Sequence, residues 1–326
     1  MSVISAKKPL IQKMSQQKKL ISVLVLILLL ALVGELVVGD VLTVAQALST
    51  MKFACFIGLF ALCQMIVVSG GGSSLDLSIG YTATLSAIFS VAIMDGQGGI
   101  RLLLSILAAV GVGALIGACN GALIAWLDLS PLVVTMSMSS IIQGYINVYA
   151  AGTSIAGKPA QELRVLAVQS TLGIPNLILL MVGLIILVTV VYRKTKYGPV
   201  LLGVGAKDRT AFLSGANVKV NRFVSFMISG IVAGLIGLIL AGNMNMAFKD
   251  MASSYVMPSY AAVVVGGVAL AGGEASYLRV YLGAVFLQLL TNLFIQFGGG
   301  DAVKWFGYGV ILYILLLFYS SNRRKK

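Results

Sequence analysis

Asp76 and Glu274 are the two carboxylates in this chain whose neighbours would hold an ionisable group inside a membrane. Asp76 falls in Ser69-Gly-Gly-Gly-Ser-Ser-Leu-Asp-Leu-Ser-Ile-Gly80, and Glu274 in Val265-Gly-Gly-Val-Ala-Leu-Ala-Gly-Gly-Glu-Ala-Ser276. A carboxylate at membrane depth is costly and marks a solute path, a proton relay or a coupling site. Two such groups make a thin relay, which weighs against a proton-coupled carrier. The chain has no histidine, and with it go the usual general base and most zinc chemistry. It also lacks a Gly-x-x-x-x-Gly-Lys-Ser/Thr phosphate cradle, a His-Glu-x-x-His pair, a Cys-x-x-Cys pair and a Gly-x-Ser-x-Gly elbow. The residues therefore predict no catalytic and no metal site, and any ATP that drives this protein is hydrolysed on another chain.

Binding is the chemistry that remains. Candidate contacts for a translocated solute are Asp76, Ser78, Asn120, Thr135, Gln143, Asn243, Gln288 and Asn292. Each has a competing role, because amides and hydroxyls inside a membrane bundle also tie helices together.

The elements that position them follow from composition. With 326 residues, 59% of them hydrophobic and 10% charged, the chain reads as an all-α polytopic membrane protein. Apolar runs lie at about 20–38, 53–69, 79–94, 102–126, 132–150, 174–192, 223–242, 260–272, 278–297 and 303–319, giving about ten transmembrane helices, some short or discontinuous. The net charge of +13 is concentrated outside these runs: five lysines in residues 1–19, seven basic residues in 193–222 and four in 320–326. An even number of crossings separates the three patches, so all of them, with both termini, are expected on the cytoplasmic side. Topology accounts for the charge without a nucleic-acid partner. One transmembrane domain is expected over 20–319, with no linker to a soluble domain. The first run is too long for a signal peptide and lacks a small-x-small cleavage site, so it reads as a retained helix. Cys55, Cys63 and Cys119 fall in apolar segments and are expected to be buried, reduced thiols.

The basic interruption at 193–222 has a distinct centre, Gly203 to Gly215. It reads as one short helix with Asp208 as N-cap and Gly215 as the C′ residue, leaving roughly two turns between them. Two turns do not hold alone in water, so a docking element for another protein is expected here. The Asp76 string leaves two readings open, a solvated turn or a broken helix near the pathway. Gly113, Gly117 and Gly121 recur every fourth residue, as do Gly230 and Gly234, with Ala233 and Gly237 beside them, and such stripes let helices pack closely.

Five strings in order carry a family resemblance. They are Ser73-Ser-Leu-Asp-Leu-Ser-Ile-Gly80, then Asn120-Gly121 followed by Pro131-Leu-Val-Val-Thr135, then Gly205 to Ala216, Ser229 to Gly237, and Ala261 to Gly273. The chain resembles the permease subunits of bacterial ABC importers of the ribose/galactose type, whose relatives serve autoinducer-2, nucleosides and branched-chain amino acids. The resemblance covers about 53–319. It implies a permease in the bacterial inner membrane that pairs with a second permease chain and two ATP-binding subunits. An extracytoplasmic solute-binding protein completes the importer, and ATP and Mg are bound by the partner ATPase. It also implies that 193–222 holds the ATPase-coupling element, with Ala211, Phe212, Ser214 and Gly215 making the contact and turn, and Lys207, Asp208 and Arg209 at its rim. The solute would be a small polar compound, a sugar or sugar-like molecule. Ser73, Ser74, Ala206, Lys207, Thr210, Gln143, Ala275 and Arg279 depart from the family strings, leaving homodimer and heterodimer open. Two other readings stand beside this one: a self-contained ten-helix carrier or exporter using Asp76 or Glu274, and an ABC permease for nucleosides or amino acids.

Overall fold

The computed structural model describes residues 3–37, 39–72, 74–150, 157–269, 271–296, 298, 306–310 and 313. Among these, α-helix dominates. In chain order the helices are α1 (Val3–Val37), α2 (Val44–Ser69), α3 (Ile79–Met94), α4 (Ile100–Trp126), α5 (Pro131–Tyr149), α6 (Gln161–Val168) and α7 (Asn176–Lys194), then α8 (Tyr197–Ala206), α9 (Asp208–Leu213), α10 (Val218–Met244), α11 (Val256–Val265) and α12 (Tyr277–Gln296). A two-residue antiparallel ladder, Ser170–Thr171 with Ile174–Pro175, turns the chain between α6 and α7. Among the described residues six helices are long and apolar enough to cross a bilayer: Gln17–Val37 of α1, α2, α4, α7, α10 and α12. Nine of the ten expected runs fall on helices. The tenth, 303–319, lies mostly outside the described residues.

One boundary differs from expectation. The run 260–272 stays helical only to Val265, because Gly267 (φ +72°) and then Gly272 and Gly273 (both φ +86°) carry the backbone into the left-handed region that ends a helix. α1 runs through the basic N-terminal stretch into the first apolar run without a break at residue 19.

Packing explains the glycine stripes. On α4, a Cβ at Gly113 would run into the carbonyl of Gly230 on α10, and Gly117 and Gly121 lie as close to the backbone of Phe226 and Phe223. Gly234 meets Ala109 of α4 and Gly237 meets Ala83 of α3 in the same way. With no side chains between them, α3, α4 and α10 form the tight centre of the molecule. Around it, α2 is buried from Ala54 to Ser69 and packs on α10, α11 and α12. Phe60 stacks on Tyr255 with ring centroids 5.4 Å apart, and the Tyr277 hydroxyl donates to the Gly58 carbonyl at 3.1 Å. Cys55 and Cys63 are buried free thiols. Cys119 corrects the expectation: it is exposed, because Gly117, Asn120 and Gly121 take the inward face of α4 and turn it outward.

Candidate functional site

Between α2 and α3 the chain leaves helix at Gly70 and returns at Ile79; Gly72 touches solvent, and from Ser74 onward the segment turns inward. Ser74, Asp76 and Ser78 are each 3% exposed or less. Unwound backbone at this depth needs partners from the protein itself. Gln64 of α2 supplies them on both sides of one residue: its Nε2 donates to the Asp76 carbonyl at 2.8 Å, and its Oε1 accepts from the Asp76 amide at 3.2 Å. The Asp76 carboxylate accepts from the Ser78 amide (3.0 Å) and Ser78 Oγ (2.7 Å) on one oxygen, and from Ser229 Oγ of α10 (3.2 Å) on the other. Asn120 of α4 donates to Ser78 Oγ at 2.9 Å, and Thr135 of α5 donates to the Leu75 carbonyl at 3.1 Å. One buried segment thus ties together α2, α4, α5 and α10. Among the described residues Asp76 enters no ion pair, and Asn120 Oδ1 is buried without a hydrogen-bond partner.

Of the eight residues expected on a pathway, Asp76, Ser78, Asn120 and Thr135 meet here. Gln288 and Asn292 do not: Gln288 donates to Asn292 (2.9 Å), which donates to Thr50 (3.0 Å), and this chain pins α12 to α2. Asn243 is half-buried in the last turn of α10, and Gln143 half-buried on α5, outside the Asp76 network. Sequence reasoning missed Gln64 and Ser229. Gln64 had a signal, being the only amide in the run from 53 to 69.

At the basic end, the short helix expected between Asp208 and Gly215 is α9, and a second helix, α8, precedes it. Lys207 (φ −165°, ψ 102°) is extended and separates α8 from α9. It, and not Asp208, is the N-cap residue. Asp208 is the first helical residue, and its carboxylate is engaged by the Arg222 guanidinium of α10, which leaves it unavailable to cap. The C-terminus is as expected: Gly215 has φ +86°, its amide donates to the Phe212 carbonyl (2.9 Å) and the Ala216 amide to that of Ala211 (3.0 Å). Ala211 turns inward, whereas Phe212 and Leu213 are 67% and 78% exposed. Lys207, Arg209, Ser214 and Gly215 are exposed with them. Beside α9 a cavity of about 790 Å³ is lined by Asp128, Asp208, Arg209, Phe212, Lys219 and Arg222.

A solvent-facing apolar tip within a ring of charge, on a bundle of membrane-crossing helices, is a geometry for seating another protein. Comparison with known proteins points the same way. The family described as branched-chain amino acid transport system / permease component matches residues 46–319. The chain belongs to this permease family. It is 29% identical over 274 residues to the fructose import permease protein FruF of Bifidobacterium longum, covering 80% of this chain and 75% of the relative. It is 27% identical over 269 residues to the galactose/methyl galactoside import permease protein MglC of Haemophilus influenzae (77% and 80%), and 25% identical over 280 residues to the ribose import permease protein RbsC of Escherichia coli (85% of each). No solved structure matches. The permease is a multi-pass inner-membrane protein.

In the permease, three glycine-containing segments join α9 to the Asp76 segment. A Cβ at Gly71 would lie 2.8 Å from Gly205 Cα, and one at Gly272 would lie 2.7 Å from Gly71 Cα and 2.9 Å from Gly205 Cα. The Gly273 amide donates to the Ser69 carbonyl at 3.2 Å. Immediately beyond, Glu274 accepts from Lys19 of α1 (2.5 Å) and from the buried Arg279 of α12 (3.1 Å). Burial pushes the Glu274 carboxyl up, but the hydrogen bond and charge of Lys19, with Arg279 behind them, outweigh it and hold it below its ordinary value. An ionised, doubly paired Glu274 is a clamp between α1 and α12, and the expectation that it served as a coupling carboxylate gives way to that role.

Proposed function

We propose that this permease is the membrane-spanning subunit of an ATP-driven, binding-protein-dependent importer of a sugar. The observation that carries the reading is α9: a short, capped helix at the basic end, with Phe212 and Leu213 exposed, in backbone contact through α8 with the buried Asp76 segment. Two ATP-binding subunits work with it in the cytoplasm, and α9 is the element one of them grips. Lys207, Asp208, Arg209, Ala211, Phe212, Ser214 and Gly215 form that coupling site. A second permease chain and an extracytoplasmic solute-binding protein complete the assembly. The chain itself is not an enzyme. ATP and Mg belong to its partners, and no cofactor or nucleic acid is needed on it. The relatives named for fructose, galactose and ribose import support a sugar as the solute.

ATP binding draws the ATPase subunits together, α9 moves with them, and the glycine contacts at Gly71, Gly205 and Gly272 pass that movement to the segment held by Asp76. That segment and the helices tied to it, including Asn120 and Thr135, then reorient around the solute. Affinity purification from the native membrane is expected to bring down an ATPase, a binding protein and a second permease copy. Vesicles holding the assembly are expected to take up labelled sugar only with ATP on the α9 side. Gradient-driven uptake by the isolated chain without ATP would overturn the reading in favour of a self-contained carrier.

A further inference from the structure

Helix α5 has nineteen residues, about 28 Å at helical rise, yet it is not among the helices apolar enough to cross a bilayer. Both amides of the helix lie away from its buried face. Val134, Thr135, Ile142 and Ile146 are buried, and the helix packs on α3 and α4. On the opposite side, beyond Val133 and Met136 at the inner end, Ser137, Ser140, Gly144 and Asn147 recur at helical spacing with Gln143 beside them. The first four are exposed and Gln143 is half-buried. The adjoining strip, Ile141 and Val148, is apolar and 65% and 77% exposed.

Hydrocarbon can cover the second strip but not the first. An amide without a hydrogen-bond partner is strongly disfavoured in an alkane-like medium, and this face holds two amides. Ser140 Oγ satisfies itself on the Met136 carbonyl at 3.2 Å, whereas the Asn147 side chain, exposed at the outer end, makes no hydrogen bond among the described residues. The stripe has no charged residue, so it is suited to a neutral ligand rich in hydroxyl groups and poorly suited to an ionic one. Its place in the fold is consistent with a path. α5 starts just after Asp128, which lines the cavity beside α9, and Thr135 bonds it to the Asp76 segment. From that level the stripe runs outward over the remaining length of the helix.

We propose that the face formed by Ser137, Ser140, Gln143, Gly144 and Asn147 is one wall of the solute pathway and contacts an uncharged polyhydroxylated solute. The inference rests on the sugar-importer reading. It assigns the wall to α5 and sets Gln288, Asn292 and Asn243 aside.

The test uses the full importer in native membranes, carrying Cys119→Ser to remove the exposed thiol. Single variants Ser140→Cys, Gly144→Cys and Asn147→Cys are compared with Ile141→Cys and Val148→Cys for reaction with a membrane-impermeant, negatively charged methanethiosulfonate. Protein level in the membrane is followed by immunoblot. The stripe positions are expected to react at least roughly ten-fold faster than the two controls, since a lipid-facing thiol is shielded from both water and the reagent. Equal rates along the helix would overturn the proposal. So would stripe cysteines that resist the reagent but cross-link to a second copy under oxidation, which would make this face a subunit seam. In parallel, Asn147→Leu and Gln143→Leu are each expected to lower uptake of the transported sugar, tried among D-fructose, D-galactose and D-ribose, by about five-fold at subsaturating concentration. Unchanged uptake in both would also overturn it. Failure of the underlying reading is distinguishable. Uptake by the Cys119→Ser parent that does not need ATP refutes the importer, whereas ATP-dependent uptake with an unreactive stripe refutes only the assignment of the wall.

Discussion

Two glycines on α8, two residues apart, separate the proposed coupling route from ordinary helix chemistry. A Cβ at Gly203 would have open space around it, whereas one at Gly205 would meet the Ser69 carbonyl group and lie 2.6 Å from the Gly273 amide nitrogen. Both obstacles at 205 are backbone, so no rotamer change relieves them. Ordinary contact begins near ~3.5 Å, so the Gly273 backbone must retreat by ~1 Å, and the Ser69 carbonyl at the end of α2 by more, to admit one methyl group. Overpacking of this kind costs about 1–3 kcal/mol. Gly203→Ala has no such penalty and gains about 0.5–1 kcal/mol from the lower helix cost of alanine.

The expected outcome is that Gly205→Ala reaches the membrane at a lowered melting temperature and loses most ATP-driven uptake, because the α8–α9 unit is pushed off the Asp76 segment. Gly203→Ala should be as stable as the parent or more so, with uptake unchanged. Gly70→Ala lies between them, since its nearest neighbour is the Leu201 Cδ1 at 3.2 Å, a side-chain atom able to move. The assay is uptake and sugar-stimulated ATP hydrolysis in vesicles, normalised to inserted protein, with thermal unfolding measured in detergent. Wild-type uptake in Gly205→Ala at normal protein level would refute the claim that force crosses this junction.

Three further outcomes are expected. Phe212→Asp, which puts a charge on the exposed apolar tip, and Gly215→Trp, which forces a bulky residue to φ +86°, should leave the protein in the membrane but abolish uptake and ATPase coupling, as measured by co-purification of the ATPase. Asp76→Leu leaves the Ser78 amide, Ser78 Oγ and Ser229 Oγ without their acceptor and should cost about 3 kcal/mol or more in thermal stability, whereas Asp76→Asn, which keeps an acceptor oxygen, should cost less. Glu274 has a folded-state pKa below its ordinary 4.5, so its contribution is present above that value and is lost as pH falls through the lower folded value; the melting-temperature gap between wild type and Glu274→Gln should therefore hold from pH 8 to pH 5 and close in more acidic buffer.

Much of the fold was legible because the apolar runs are long and the glycine stripes regular. Gly113, Gly117 and Gly230 announce close packing by spacing alone, and the structure pairs them across α4 and α10. Short-range capping was half legible. Gly215 declares itself because the C′ position rewards glycine, but Asp208 resembles an N-cap until Arg222, fourteen residues on, is seen to hold its carboxylate. The site divided along the same line. Asp76, Ser78, Asn120 and Thr135 stood out as polar residues in apolar strings, as Gln288 and Asn292 did. Only three-dimensional neighbours distinguish a knot that crosses four helices from a pair that staples two. Nothing local identified the junction of Gly71, Gly205 and Gly272, because it joins positions that are far apart in the chain and have no side chains.

The two ways in which the segment leading from α2 to α3 is held have different mechanical consequences. At its start it is gripped by glycine backbones in van der Waals contact, which have no side-chain freedom to absorb a displacement. Farther along it is held by hydrogen bonds from Gln64, Ser229, Asn120 and Thr135, each worth about 1 kcal/mol net and each exchangeable for a bond to water or solute. In the proposed coupling, a push from α9 would enter through the stiff end and be released at the soft one. Because Thr135 fastens the segment to α5, release there alters the helix that carries the polar stripe. If the knot is the gate and α9 the foot, as proposed, the gate must yield before the foot does, and a glycine junction below a hydrogen-bonded knot would set that order without a charged pair having to be broken at membrane depth.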